Sequence, residues 1–201
     1  MEDKGVNMSD VMYQPIDTVL QEMRVRSANN RRIIFDGEVN SDNVLKSVYY
    51  LQKLIDLDTK TGNKDDIHIE IHSFGGSIYD GVYLCDFIRY MQDKLGYKII
   101  GTVNGYAMSM GFQILQSCTV RRCYHTSRLM FHQPSNYIYG DLENMERDLE
   151  ETNYLWEEMK SLVKSRTLLT DDMMEEWKRL RKDKFFNREE LIKYNIVDEV
   201  L

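Results

Sequence analysis

Three short stretches of this 201-residue chain hold residue types that could do chemistry together. The first is Gly105-Tyr106-Ala107-Met108-Ser109-Met110-Gly111, a serine between glycines where a strand hands over to a helix. Such a turn exposes a hydroxyl at a sheet edge, close to a helix N-terminus. Taken alone, a serine there is more often only a helix cap. The second is Ser73-Phe74-Gly75-Gly76-Ser77, again after a strand. Adjacent glycines let backbone N–H groups converge on an anion, although a tight turn explains the same residues. The third is Met130-Phe131-His132-Gln133-Pro134, a histidine held between an apolar strand and a proline. A nucleophilic serine needs such a base within hydrogen-bond reach. Two Gly-rich turns at the carboxyl edge of a sheet could add an oxyanion hole.

The elements that must position these residues are legible in the apolar spacing. Arg32-Ile33-Ile34-Phe35 reads as a strand ending at the turn Asp36-Gly37. Val44, Leu45, Val48, Leu51 and Ile55 recur at helical spacing after Ser41, a candidate cap. Ile67–Ile71 and Ile99–Val103 read as strands, with a helix carrying Ile78, Val82, Cys85, Ile88 and Met91 between them. Thr119–Arg122 and Leu129–Phe131 read as further strands. This alternation predicts an α/β fold with a largely parallel sheet. From Leu142 to Val163 apolar residues step by three and four, predicting one long amphipathic helix over about 141–166. It either packs on its own domain or projects to meet a neighbouring subunit. Thr170 and the pair Asn187/Glu190 read as caps of two later helices, and the chain closes on a short strand at Ile196–Leu201. Residues 1–30 are polar and aperiodic and read as a flexible arm, leaving 31–201 as one domain.

Composition excludes several classes. The 26 basic and 33 acidic residues leave a net charge of −7, so there is no electrostatic footprint for nucleic acid. No apolar run approaches a membrane span, and the first residues lack the apolar core of a secretory signal. Cys85, Cys118 and Cys123 are odd in number and lack CxxC spacing, which points to buried thiols in a reducing compartment. His68 and His72 stand i,i+4 on a strand, a poor metal geometry, so neither a metal nor a cofactor is expected.

In combination, order and spacing, the three blocks resemble the signatures of the ClpP-type serine peptidases, whose forms run approximately NSPGGS, GQAASMG and MIHQP. The likeness covers roughly Arg32 to Leu201, including Tyr194-Asn195-Ile196-Val197-Asp198-Glu199-Val200-Leu201 at the end. It implies a ClpP/crotonase-like fold with a long handle helix. It implies Ser109 as nucleophile, His132 as general base, and the N–H groups of Gly76 and Met110 as the oxyanion hole. Gly75, Ser77 and Pro134 would line the substrate site. It further implies a homo-oligomer, a heptamer or double heptamer, that cleaves unfolded polypeptides delivered by an AAA+ unfoldase. The expected compartment is the cytoplasm of a bacterium or phage-infected cell, or an organelle matrix.

The third catalytic group is where the sequence departs from the expected pattern. With the family acid placed four residues before a second aspartate, Lys182-Asp183-Lys184-Phe185 matches the end of the pattern, and the count back falls on Arg179. Neither neighbour, Lys178 or Leu180, is a carboxylate. Asp183 or Glu175, each one helical turn from Arg179, could replace the acid, with Asp183 preferred. Otherwise a Ser109–His132 dyad operates, or the subunit is weak or inactive and serves a regulatory role. Phe74, His72, Tyr106 and Met108 replace the residues of the signatures and are expected to reshape substrate pockets. An acyl-CoA enzyme of the wider crotonase-like group is the remaining reading, against which the serine–histidine blocks argue.

Overall fold

β-branched residues alternating with polar ones make Arg32–Val39 (β1), Ile67–Gly76 (β2) and Ile99–Met108 (β3) half-buried strands. The computed structural model describes residues 16–135 and 139–201. In it β1, β2 and β3 pair in parallel, followed by Val120–Cys123 (β4) and Glu199–Val200 (β7), in the order β1-β2-β3-β4-β7. The sheet forks at β3. Ile100–Val103 pair with β4, whereas Tyr106–Met108 pair in parallel with Arg128–Phe131 (β5). β5 in turn pairs antiparallel with Lys184–Phe186 (β6). The α/β architecture is that of the ClpP fold.

All three long strands reach further than their alternating cores suggest. β1 continues through Asp36-Gly37 to Val39 across an irregularity in register, and β2 runs through the glycine pair to Gly76. The two chemistry-bearing turns are therefore the ends of paired strands, which holds their backbones more firmly than free loops.

Helices cover one face of this sheet. Ser41–Thr61 (α2) lies on β1 and Met110–Gln116 (α4) on β2 and β3, with Ile78–Asp93 (α3) against both helices. The cap of α2 is Asn40, whose side chain accepts from the Asn43 N–H, while the Ser41 hydroxyl donates to Asp80 instead. α2 buries Val44, Val48, Leu51 and Leu54; Leu45, counted with that face in the sequence, is exposed. The expected arm is a helix from Ile16 to Asn29 (α1) that contacts β1; residues 1–15 lie outside the described residues. The correction has a physical reason. Ile16, Val19, Leu20 and Met23 do recur at helical spacing, but they stand among polar residues, Leu20 and Met23 are exposed, and Ala28 is the buried residue of α1.

After the sheet come the long helix Leu142–Arg166 (α5), Asp171–Arg179 (α6) and Arg188–Lys193 (α7). Thr170 caps α6, and Asn187 with Glu190 forms the reciprocal capping box of α7. The two readings of α5 divide along its length. Trp156, Met159 and Val163 are buried in the domain, whereas Leu142, Met145 and Leu149 are exposed. An aromatic cluster joins these elements: Phe112 lies 5.8 Å from Phe131 and 5.7 Å from Phe186, and Phe131 stacks 5.3 Å from Trp156.

Arg121 fastens the C-terminal segment to the sheet. It is 2 % exposed, donates twice to the Asp198 carboxylate, and bonds Gln116 Oε1 and the carbonyls of Arg166 and Asn195. Asp198 also accepts the Arg121 backbone N–H at 2.7 Å. Burial raises the Asp198 pKa, but the Arg121 hydrogen bonds outweigh it and hold the carboxyl below its ordinary range. The cysteines are all free and buried; burial pushes the Cys85 thiol up to about 12 and Cys123 to about 11. No helix among the described residues is long and apolar enough to cross a membrane.

Candidate active site

Ser109 joins β3 to α4 with φ 53° and ψ −121°, a left-handed conformation that a non-glycine residue adopts only when its surroundings impose it. Its backbone N–H donates to the Met130 carbonyl at 3.0 Å, and its carbonyl accepts from Phe112 and Gln113. The turn is thus tied to β5 on one side and α4 on the other. The hydroxyl makes no helix-capping hydrogen bond. Instead Ser109 Oγ lies 2.9 Å from His132 Nε2. The conformation withdraws the side chain from the use most serines have at a helix start.

The strand registers explain how three distant residues meet. Met108 pairs with Met130, so Ser109, one residue on, and His132, two residues on, leave parallel strands at the same edge. Phe131 pairs with Lys184 in the antiparallel ladder, and the next position sets His132 against Asp183. His132 Nδ1 lies 3.2 Å from Asp183 Oδ1. β5 is the shared ruler, and Phe112, Phe131 and Phe186 pack beneath it. With the Nδ1 proton directed to Asp183, Nε2 is an acceptor for the Ser109 hydroxyl.

The position counted back to Arg179 takes no part at the imidazole, and the preferred replacement does. Arg179 is exposed at the end of α6, and the carboxylate at the imidazole is Asp183. Glu175 is excluded by its own partners: it accepts from Trp156 Nε1 at 2.8 Å and binds the buried Lys160. The Lys160 hydrogen bond, chiefly, lowers the Glu175 pKa. Asp183 lies beyond α6, on the approach to β6.

Gly75 and Gly76 close the site from β2. Gly75 has φ 100°, and a Cβ there would sit 2.6 Å from Ser109 Cβ and 3.0 Å from the Met110 nitrogen, so only glycine allows this approach. Its N–H donates to Ser73 Oγ. Gly76 is exposed at the end of β2. Ser77 is the cap of α3 and donates its N–H to the Val39 carbonyl. Met110 is the first residue of α4, where a backbone N–H has no partner within the helix.

A groove of about 470 Å³ adjoins the site, bounded by Gly76 and Ser77, by Pro134, and by α5. Its remaining wall mixes the apolar Ile78 and Leu155 with Tyr79, Ser135, Asp148, Glu151 and Thr152, and includes none of Phe74, His72, Tyr106 or Met108. Phe74, His72 and Tyr106 stack on one another instead, with Tyr106 3.9 Å from each of the other two rings. The sequence signal for the true wall was available in the i,i+3 pair Asp148/Glu151 and in Tyr79 beside Ser77, but carried no chemistry without the groove. Among the described residues no three His, Cys, Asp or Glu side chains gather as metal ligands.

A sheet forked at β3, with a serine at the fork's edge and a histidine between it and a carboxylate, defines a hydrolase-like site. The family model described as Clp protease matches residues 18–201. The chain belongs to the Clp protease family, and so is a ClpP-type proteolytic subunit, a peptidase. Among its relatives are ATP-dependent Clp protease proteolytic subunit 2 of Synechococcus sp. (strain CC9605) and subunit 1 of Synechococcus sp. (strain CC9902). Another is subunit 2 of Parasynechococcus marenigrum (strain WH8102). Each is 30% identical over 173 residues, covering 85% of this chain and 83% of the relative.

Proposed function

We propose that this chain is a serine endopeptidase subunit acting on unfolded polypeptides by acyl-enzyme chemistry. The observation that carries the reading is the 2.9 Å contact between Ser109 Oγ and His132 Nε2, made by a hydroxyl that caps no helix. Ser109 Oγ attacks the scissile carbonyl carbon while its proton passes to His132 Nε2. The carbonyl oxygen gains negative charge and is met by the N–H groups of Gly76 and Met110. Collapse of the tetrahedral species breaks the C–N bond, and the leaving amine takes the proton from Nε2. Water then attacks the acyl ester, again giving its proton to His132, and the acid leaves as the Ser109 O–H re-forms. Asp183 holds the imidazole tautomer and stabilises the imidazolium in both halves.

The chain works, in this reading, as a homo-oligomeric ring in the cytoplasm, supplied with unfolded substrate by an AAA+ unfoldase. The relatives' designation as ATP-dependent subunits supports that partner, and the exposed apolar half of α5 supports the oligomer. A fluorophosphonate probe with adduct mapping by mass spectrometry tests the chemistry. The expected result is labelling at Ser109 that is lost in Ser109→Ala and strongly reduced in His132→Ala. Absence of labelling in folded, assembled protein overturns it in favour of an inactive ring subunit.

A further inference from the structure

Within Ser73-Phe74-Gly75-Gly76-Ser77 the proposed chemistry uses the Gly76 N–H and gives Ser73 no role. Ser73 is fully buried near the end of β2, where it pairs with Ala107 of β3. A buried hydroxyl is tolerated for the hydrogen bonds it makes. Here its Oγ accepts the Gly75 N–H at 3.1 Å. Two residues further on, the Ser77 N–H donates to the Val39 carbonyl at 2.8 Å. The Gly75–Gly76 pair, with both residues at positive φ, is thus anchored on each side of the N–H that the substrate oxygen is to meet. Phe74 adds a further hold, stacked 3.9 Å from the Tyr106 ring. Adjacent glycines are otherwise the freest backbone a chain can make, and an oxyanion donor is effective only when it is aimed beforehand.

Ser73 also bears on the second donor. Gly111 follows Met110 in α4 and packs directly on Ser73. A Cβ at Gly111 would lie 2.8 Å from the Ser73 carbonyl oxygen and 3.1 Å from the Ser73 Cβ. One residue therefore aims the glycine pair with its hydroxyl and meets the start of α4 with its backbone.

We infer that Ser73 is a positioning residue for the oxyanion hole, aiming the Gly76 N–H through Gly75 and spacing it from the Met110 N–H. The inference rests on the proposed serine chemistry and adds the group that preorganises the hole.

The test compares the full-length, assembled protein with Ser73→Ala, using a β-lactone labelled with ¹³C at its carbonyl. Ser109 Oγ attacks that carbonyl carbon, the ring C–O bond breaks, and His132 returns the proton to the departing alkoxide. The product is an acyl-Ser109 ester bearing a free hydroxyl. Intact mass gives the rate of acylation, and difference infrared spectroscopy gives the ester carbonyl stretch, which falls in frequency when the hole polarises it. Losing one oxyanion donor outright costs about 10²–10³ in rate, so misaiming one should slow acylation by roughly 10- to 100-fold. The carbonyl band should move to higher frequency in Ser73→Ala. A role in packing alone lowers stability and leaves that band in place. Should Ser73→Ala fail to assemble, Ser73→Cys keeps the volume with a weaker acceptor and should shift both readouts in the same direction by less. Should neither assemble, hydrogen exchange over residues 73–77 of the unsubstituted protein decides: slow exchange at Gly75 is expected, and fast exchange overturns the inference. Either readout unmoved in an assembled variant also overturns it and leaves the proposed function standing. Unsubstituted protein that neither the lactone nor a fluorophosphonate modifies at Ser109 overturns both.

Discussion

At the scale of single residues, Asp183 is the carboxylate that the geometry brings to the imidazole. Its carboxylate reaches His132 Nδ1 at 3.2 Å while its side chain is 57 % exposed. An exposed acid is replaced without a packing cost, so its contribution to the chemistry is separable from stability. Asp183→Asn removes the charge and permits the wrong imidazole tautomer, and it should slow Ser109 acylation by about 10³ to 10⁴. The melting temperature should stay within a degree or two; a large fall would assign Asp183 a structural role instead. Gly75→Ala should fail in the opposite way. Its Cβ collides with Ser109 and with the Met110 amide at a positive φ, so acylation is lost together with stability, by roughly 1–3 kcal/mol in urea melts. Ser109 and His132 were legible from their short motifs because each sits at the end of a strand. Asp183 was only the preferred of two carboxylates, since its meeting with His132 is set by a ladder and not by a motif.

At the scale of elements, that ladder shows where sequence reading stops. β6 is three residues, Lys184–Phe186, too short to alternate, and it exists because β5 offers an edge. The parallel core, by contrast, follows from Ile67–Ile71 and Ile99–Val103, and the two late helix caps from Thr170 and Asn187/Glu190. The Arg121–Asp198 pair was silent in the sequence for the same reason as β6: its members are far apart in the chain and meet only after β4 and the C-terminal segment have docked. Asp198→Asn leaves a buried guanidinium without its counter-charge but with its three other acceptors, and because Asp198 is partly solvated it should cost about 1–3 kcal/mol, measured by denaturant unfolding. The pH dependence follows from the depressed Asp198 pKa. The pair's contribution is fully present above the unfolded aspartate value of about 4 and is lost as pH falls through the lower folded value. Acid titration of unfolding should therefore show a drop below about pH 4 that is diminished in Asp198→Asn. An unchanged acid limb in the variant would place the acid sensitivity in other carboxylates.

At the scale of the whole molecule, two surfaces are left unfinished by a single chain. Parallel sheets are normally covered on both faces. Here the face opposite α2, α3 and α4 carries half-buried His68, Glu70 and His72, with Arg32 paired to Glu70 at 3.1 Å. The second surface is the first half of α5, which at 1.5 Å per residue is a helix about 37 Å long, longer than the domain needs. Leu142 and Leu149 are 70 % and 52 % exposed at the continuation of the seam whose other half is buried. A helix does not keep an apolar seam beyond its own core unless something covers it. A second copy of the chain is the cover the proposed ring supplies. Leu142→Glu combined with Leu149→Glu should shift the sedimenting species to smaller oligomers at micromolar concentration, with the far-ultraviolet dichroism unchanged because neither side chain is in the core. Unsubstituted protein that sediments as a single chain would refute the ring itself. A variant that sediments like the parent would instead leave the ring and move its contacts off this half of α5.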